Sequence, residues 1–176
     1  MKNAFSLIEI LIVIGMFAVL GVVISQSTIT SIRSSRKSDS VIVTRENVEL
    51  AAATIERKLR NASVIFTNPP CSTQGGSAVT IGTFTYETQD DTQGGFTCNN
   101  IGEANGRLTF NDITNGTNAD LTSPDIMLTQ CQFVCTPPNV GVPQSLDVVL
   151  VGVDSLQLGV EGAEISVRTK INLRAY

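Results

Sequence analysis

An apolar run near the amino terminus constrains the fold of this chain more than any other feature. Residues 5–24 read FSLIEILIVIGMFAVLGVVI, and the carboxylate of Glu9 is the only ionisable side chain among them. Twenty residues rise about 30 Å as an α-helix, which matches the hydrocarbon thickness of a bilayer. The run therefore predicts a membrane-spanning helix. A carboxylate inside such a helix is energetically costly, so we expect Glu9 to have a function.

A cleaved secretory signal is the alternative to a membrane anchor. Such a signal has a basic start, a shorter apolar core and a small-x-small cleavage site, whereas this chain has only Lys2 before a long apolar run. An uncleaved anchor fits better. The flanking residues leave its orientation open. Arg33, Arg36 and Lys37 favour a cytoplasmic carboxyl-terminal side, while four cysteines after the run favour export of that side.

The composition excludes several classes of function. The chain has no histidine, which is the commonest general base and a frequent metal ligand, so a Ser-His or Cys-His nucleophile pair is excluded within it. Residues 61–176 carry four basic and eleven acidic side chains, which argues against a nucleic-acid binder, because such proteins present a basic face. No paired-carboxylate motif stands out. We therefore predict neither an enzyme nor a cofactor.

No metal site is predicted. Only Cys131 and Cys135 are close in sequence, whereas a zinc site of four cysteines has two such close pairs. The polar segment NDITNGTNAD offers oxygen ligands in Asp112, Asn115 and Asp120, but their spacing does not match an EF-hand loop. Asn115 and Gly116 are also typical of a hairpin turn. Calcium binding in this segment stays an open alternative, and no residue is assigned as a ligand.

The segment after the apolar run is predicted to continue as a helix. Residues 25–40 contain seven serines and two threonines and have little to bury, which predicts an exposed helical stalk. An apolar seam follows, in which Val41, Val48, Ile55 and Ala62 recur every seven residues. Ala52 and Leu59 lie between them on the same face. The seam packs on the protein's own domain or, as an alternative, on another chain in a coiled coil. Asn68 and two prolines end the predicted helix.

Beyond this point the hydrophobic period becomes two, which predicts β-strands. The predicted strands cover 78–86, 107–110, 126–134 and 146–153, and the predicted loops cover 71–77, 88–106 and 111–125. In the last segment, Leu156, Leu158 and Val160 are predicted to pair with residues 165–173 across a turn at 161–164. The whole pattern predicts an α+β fold, in which a long amino-terminal helix packs on an antiparallel β-sheet.

Four cysteines, Cys71, Cys98, Cys131 and Cys135, predict two disulfides if this part is exported. They allow three pairings. If residues 126–135 form one strand, Cys131 and Cys135 lie about 13 Å apart, beyond the roughly 7 Å between Cα atoms that a disulfide permits. Only pairings that join the first two cysteines to the last two then remain. A turn beginning at Gln132 would instead bring Cys131 and Cys135 together, so both patterns stay open.

The start of the chain, AFSLIEILIVIGMFAVLGVV over residues 4–23, resembles the class III signal of type IV pilins and type II secretion pseudopilins. The resemblance implies that a prepilin peptidase cuts between Ala4 and Phe5 and that Phe5 is then N-methylated. It also implies that Glu9 neutralises the new α-amino group of an adjacent subunit during filament assembly. Two features depart from the family pattern. Ala4 replaces the usual glycine, and the apolar helix lacks the proline that many major pilins carry.

The resemblance also implies an organisation and a location. Residues 1–4 would be the leader, 5–24 the transmembrane and assembly helix, 25–40 the stalk and 41–176 a pilin-like head. The protein would cross the inner membrane once, with its amino terminus cytoplasmic and its head extracytoplasmic, and would lie in the periplasm or at the cell surface when assembled. Its expected partners are other pilin or pseudopilin subunits, the prepilin peptidase and the membrane, with no nucleic acid.

Two later segments refine this resemblance. Two segments, RENVELAAATIERKLRNASVI over residues 45–65 and the tail from residue 151 to residue 173, look like those of J-type pseudopilins and W-type minor pilins. A minor pilin or pseudopilin that primes or caps a filament is therefore expected. A major pilin for adhesion, motility or DNA uptake remains an alternative, as do an anchored exported enzyme and a bitopic membrane-anchored binding protein.

Overall fold

The structure is a computed structural model that describes residues 7–71, 76–140, 142–156 and 162–173. The chain divides into two compact units, Met1–Asp39 and Ser40–Tyr176. Across the described residues it forms one helix, α1 (Leu7–Leu59), followed by nine strands. The strands are β1 (Ala62–Thr67), β2 (Val79–Ile81), β3 (Thr83–Thr88), β4 (Gln93–Asn99), β5 (Arg107–Asp112), β6 (Thr117–Asp120), β7 (Ile126–Thr136), β8 (Ser145–Asp154) and β9 (Glu164–Asn172).

The second unit contains two antiparallel sheets rather than the single sheet that we expected. Sheet A has five strands in the order β1-β3-β4-β5-β6, and sheet B has four in the order β2-β7-β8-β9. The predicted strand at 78–86 is wrong as one element, because it breaks at Gly82 and its two halves join different sheets. The α+β layout, with a long apolar amino-terminal helix and antiparallel sheets, is confirmed.

The core of the second unit lies between the sheets and the last third of α1. Phe84 of β3 contacts Phe133 of β7 edge to face, with ring centroids 4.8 Å apart, and so joins sheet A to sheet B. On β8, a Cβ atom added to Gly152 would lie 2.7 Å from Val48 Cγ2 of the helix. Helix and sheet B therefore approach closely at Gly152, because this residue has no side chain.

The predicted seam of α1 is correct over its second half. Val48, Ala52, Ile55 and Leu59 are buried, but at the start of the seam the buried residues are Ser40 and Thr44, while Val41 is only half-buried. Ser40, Thr44 and Val48 are spaced four residues apart and so form one ridge along the helix. The buried stripe at the start of the seam follows this ridge and leaves Val41 at its margin.

The helix ends earlier than predicted. It stops at Leu59, and Arg60 and Asn61 form a turn before β1. The sequence of β1, ASVIFT, has the β-branched and aromatic side chains that favour strands, and Ile65 is buried between the exposed Val64 and Phe66. Ala62 is buried as the seam predicted, but as part of this strand.

Two strands lie in segments predicted to be loops. β4 falls within 88–106 and β6 within 111–125. The consecutive Gly94 and Gly95 in β4 lower its intrinsic strand propensity. Pairing on both sides with β3 and β5 outweighs that preference. All four residues of β6 are exposed and polar or small, so it lacks the alternation that reveals a strand.

The last strand has the predicted alternation and pairs with β8. Ile165, Val167 and Ile171 are the more buried residues of β9, while Arg168 and Lys170 between them are exposed. The strand pairs with β8 from Ser145↔Asn172 to Val153↔Glu164. The expected pairing with Leu156, Leu158 and Val160 stays a prediction, because residues 157–160 lie outside the described part of the chain.

Candidate functional site

The first candidate site is the amino-terminal part of α1. Every described residue from 7 to 39 is exposed, and the large apolar side chains between Leu7 and Ile24 are 46–77% exposed. An 18-residue window of this helix has a mean hydropathy of 2.9, and no residue in it is buried. A helix in the core of a soluble protein would be mostly buried. This surface is large enough to require a cover of lipid or protein.

Glu9 lies in the first turn of this helix, among exposed apolar side chains. Favourable interaction with the helix dipole stabilises a carboxylate there. It forms no hydrogen bond or ion pair with any described residue. The first basic residue along the described helix is Arg33, 24 positions later, which is about 36 Å away at 1.5 Å per residue. A counter-ion for Glu9 must therefore come from the residues before Leu7 or from another molecule.

The predicted cleavage site lies before the first described residue, Leu7. Ala4 and Phe5 lie outside the described residues. The stalk is exposed from 25 to 39, as predicted, and its last residue, Ser40, is buried. The Ser25, Thr28 and Thr30 hydroxyls each donate a hydrogen bond to the backbone carbonyl four residues earlier. These bonds satisfy the hydroxyls within the helix itself.

The cysteines form two disulfides in the pattern that joins the first pair to the second. Cys71 pairs with Cys135, and Cys98 pairs with Cys131, with Cα–Cα distances of 6.1 and 5.9 Å. The alternative, Cys131 with Cys135, is wrong because both lie in the uninterrupted strand β7. The first disulfide ties the segment after β1 to sheet B, and the second joins β4 of sheet A to β7 of sheet B.

A second candidate site is a groove in the second unit, with a cavity volume of about 390 Å³. Its floor is the inner face of sheet A, where Tyr86, Gly94 and Asp112 stand in one cross-strand row. A Cβ atom on Gly94 would lie 2.7 Å from the Tyr86 hydroxyl oxygen, so the missing side chain makes room for the phenol. The walls come from the end of α1 and the turn after it (Arg57, Lys58, Asn61), from β5 (Phe110), from the β3–β4 hairpin (Thr88, Thr92, Gln93) and from the turn after β5 (Asn115).

Sequence reasoning did not find this groove. Its residues come from three segments, 57–61, 86–93 and 110–115, that only the tertiary fold brings together. One signal was present in the sequence. Arg45 and Arg60 each have a glutamate one turn away, at 2.6 and 3.0 Å, whereas the corresponding positions around Arg57 are Ala53 and Asn61.

Two ionisable groups of the groove are perturbed. The backbone and side-chain N–H groups of Asn115 donate to the Asp112 carboxylate and hold its pKa below the usual value, with the Lys58 charge adding to this effect. Burial raises the pKa of Tyr86 to about 12, and the negative charge of Asp112 acts in the same direction. The phenol therefore stays protonated up to strongly alkaline pH.

We expect the Tyr86 phenol to make stability fall between pH 10 and 12. The unfolded phenol loses its proton near pH 10, while the folded phenol keeps its proton up to about 12, so the unfolded state binds fewer protons across this window. Because the hydroxyl lines an open groove, solvent screens part of this difference, and we expect about 1–2 kcal/mol of unfolding free energy to be lost by pH 12. Denaturant unfolding at pH 9.5, 10.5 and 11.5 measures it. Tyr86→Phe should lose this pH dependence, and an unchanged slope in that variant would contradict the assignment.

The oxygen side chains considered for calcium are engaged elsewhere. Asp120 accepts hydrogen bonds from Arg107 at 2.8 Å and from Thr109 at 3.0 Å, and Asp112 is held by Asn115. Over the described ranges, no cluster of three acidic, histidine or cysteine side chains is arranged to hold a metal ion.

Comparison with known proteins adds no assignment to these sites. The chain matches no protein-family model, no curated protein and no solved structure.

Proposed function

We propose that this chain is a pilin-like structural subunit, a minor pilin or a pseudopilin, that assembles into or primes a type IV pilus or a type II secretion filament. The observation that carries the proposal is the exposed apolar helix with Glu9 in its first turn and no described cation within reach. The exposed surface needs a cover, and the carboxylate needs a counter-ion.

The physical reason for assembly is the cost of an unpaired carboxylate. In lipid an isolated ionised side chain is strongly disfavoured, whereas a paired one in a helix bundle costs far less. If the chain is cut after Ala4, Glu9 becomes the fifth residue of the mature protein. Four residues then separate Glu9 from the mature amino group, which would be about one turn if the helix extended to Phe5, and a small axial stagger between neighbouring helices would pair the two charges.

The mature protein then lies in the inner membrane until it assembles. Its amino terminus is cytoplasmic and its second unit extracytoplasmic, where oxidising conditions let both disulfides form. Other pilin or pseudopilin subunits are its partners, and it performs no catalysis. A bitopic binding protein would use the same helix merely as an anchor, and in that case Glu9 would be dispensable.

We expect the protein to be processed after Ala4. In its native membrane, mass spectrometry should find an amino-terminal peptide that begins at Phe5 and carries one extra methyl group. Ala4→Leu should block this cut, because the peptidase of the family requires a small residue there, while membrane insertion persists.

Ser25→Leu is the matched control. This change would block a conventional signal peptidase acting near residue 25 but should leave cleavage after Ala4 intact. A mature end at Met1, or one near Ser25, would refute the proposed processing.

A further inference from the structure

We propose that the groove between the end of α1 and the inner face of sheet A binds a carboxylate-bearing ligand. The Arg57 guanidinium is its counter-ion, and the Asn61 amide and the Tyr86 hydroxyl are further hydrogen-bond donors. This site lies within the second unit and includes no residue of the exposed apolar part of α1. The proposal therefore does not depend on filament assembly.

The positive charge of Arg57 is uncompensated. Arg45 and Arg60 each form an ion pair with a glutamate on the same helix, whereas Arg57 forms none with any residue that the structure describes. The other cation of the groove, Lys58, places its Nζ atom 4.6 Å from the centre of the Phe110 ring. It also acts on Asp112, whose pKa it lowers. The lining of the groove therefore has two cations and one carboxylate, and the charge of Arg57 is the one left without a counter-ion.

The carboxylate and the hydroxyl groups of the groove's threonines are already engaged. Asp112 accepts hydrogen bonds from the Asn115 backbone at 3.0 Å and from its side chain at 2.9 Å. The Thr88 and Thr92 hydroxyls bond each other.

By contrast, two donors that line the cavity, the Asn61 side chain and the Tyr86 hydroxyl, have no partner among the described residues. Because Arg57 lines the same cavity, an anionic acceptor is the ligand that suits these groups, and a carboxylate matches the planar fork of an arginine.

The floor of the groove suits an organic acid better than an inorganic anion. The Tyr86 and Phe110 rings supply apolar surface to the lining of the groove. The volume of about 390 Å³ is within the range of small-molecule pockets. Such a space holds a carboxylate together with a short apolar body. The acid is either a free organic acid or the side chain of a glutamate or aspartate on a protein partner.

Two isosteric probes test the charge requirement. The full-length chain, labelled with ¹⁵N and held in nonionic detergent, is titrated at pH 7 with phenylacetate and with phenylacetamide. We expect saturable shifts of the Asn61, Gln93 and Asn115 amide signals with the acid. We also expect at least tenfold weaker binding of the amide, and weaker binding of the acid at high salt.

Variants locate the interaction. Arg57→Gln should weaken phenylacetate binding at least tenfold, and Tyr86→Phe about threefold. Arg168→Gln, which removes an exposed arginine on β9, should change nothing. Equal binding of acid and amide, binding unaffected by Arg57→Gln, or no saturable shift with any carboxylate probe would overturn the proposal.

A second pair of probes distinguishes the two sources of the carboxylate. Acetyl-Gly-Glu-Gly-amide is compared with its glutamine counterpart and with phenylacetate. Tighter binding of the glutamate peptide than of phenylacetate supports a protein partner, and the reverse order supports a free acid. In both cases Arg57→Gln must abolish the preference for the charged member of the pair.

Discussion

Glu9→Val should leave the protein inserted in the membrane with its second unit folded, and should lower its incorporation into filaments at least tenfold. Insertion is expected to improve slightly, because the change removes the cost of burying a carboxylate. Assembly is expected to fail, because the amino group of the neighbouring subunit loses its counter-ion in a low-dielectric bundle, where removing one partner of a pair is strongly destabilising. The amount of protein in sheared filaments, relative to that in the membrane, measures the effect.

Two further variants separate charge from shape. Glu9→Gln keeps the size of the side chain and should fail like Glu9→Val. Ile12→Val alters the same exposed part of the helix without changing its charge and should assemble normally. If Glu9→Val enters filaments as well as the unaltered protein, the pairing role is refuted, and a simple anchor becomes the better explanation. Copurification with partner subunits provides a second readout if the protein is scarce in filaments.

The periodicity of apolar residues predicted the helix and strands that have one buried face. It failed where the intrinsic preference of a segment differs from the structure that the segment adopts in the fold. The alternation of β9 was readable, because Ile165 and Ile171 face inward while Arg168 and Lys170 face solvent. Its partner was not readable, since alternation defines the two faces of a strand and leaves the neighbour undefined. β4 was missed because its paired glycines argue against a strand. At Gly94 the fold uses the absence of a side chain to accommodate Tyr86.

The two candidate sites differ in how far the sequence reveals them. The amino-terminal site is a local motif, in which a charged residue stands out against an apolar run, so its residues are visible without a structure. The groove depends on contacts between distant segments, and only the missing partner of Arg57 hinted at it. The disulfide pattern lies between these cases. A single local question, whether β7 is continuous past Cys131, excluded the Cys131–Cys135 pairing and left only bonds between distant segments, with sequence separations of 64 and 33 residues in the structure.

Removing the Cys71–Cys135 disulfide should destabilise the second unit by about 4 kcal/mol. The bond closes a loop with a sequence separation of 64 residues, and the chain-entropy model gives about this value for a loop of that length. Cys71→Ala with Cys135→Ala is the suitable change, because both positions are buried and alanine adds no polar group. Urea unfolding of the full-length protein in nonionic detergent, followed by circular dichroism, measures the difference.

The second disulfide provides the comparison. Cys98→Ala with Cys131→Ala opens a loop with a sequence separation of 33 residues, and the same model gives a loss only a few tenths of a kcal/mol smaller. Gln144 adds a second difference between the two variants. Its Nε2 atom donates to the Cys71 carbonyl and to Cys135 Sγ, and the sulfur acceptor is lost only in the Cys71/Cys135 variant. The Cys71/Cys135 variant should therefore be the less stable of the two. A first variant within 1 kcal/mol of the unaltered protein would mean that the long loop is already constrained in the unfolded chain.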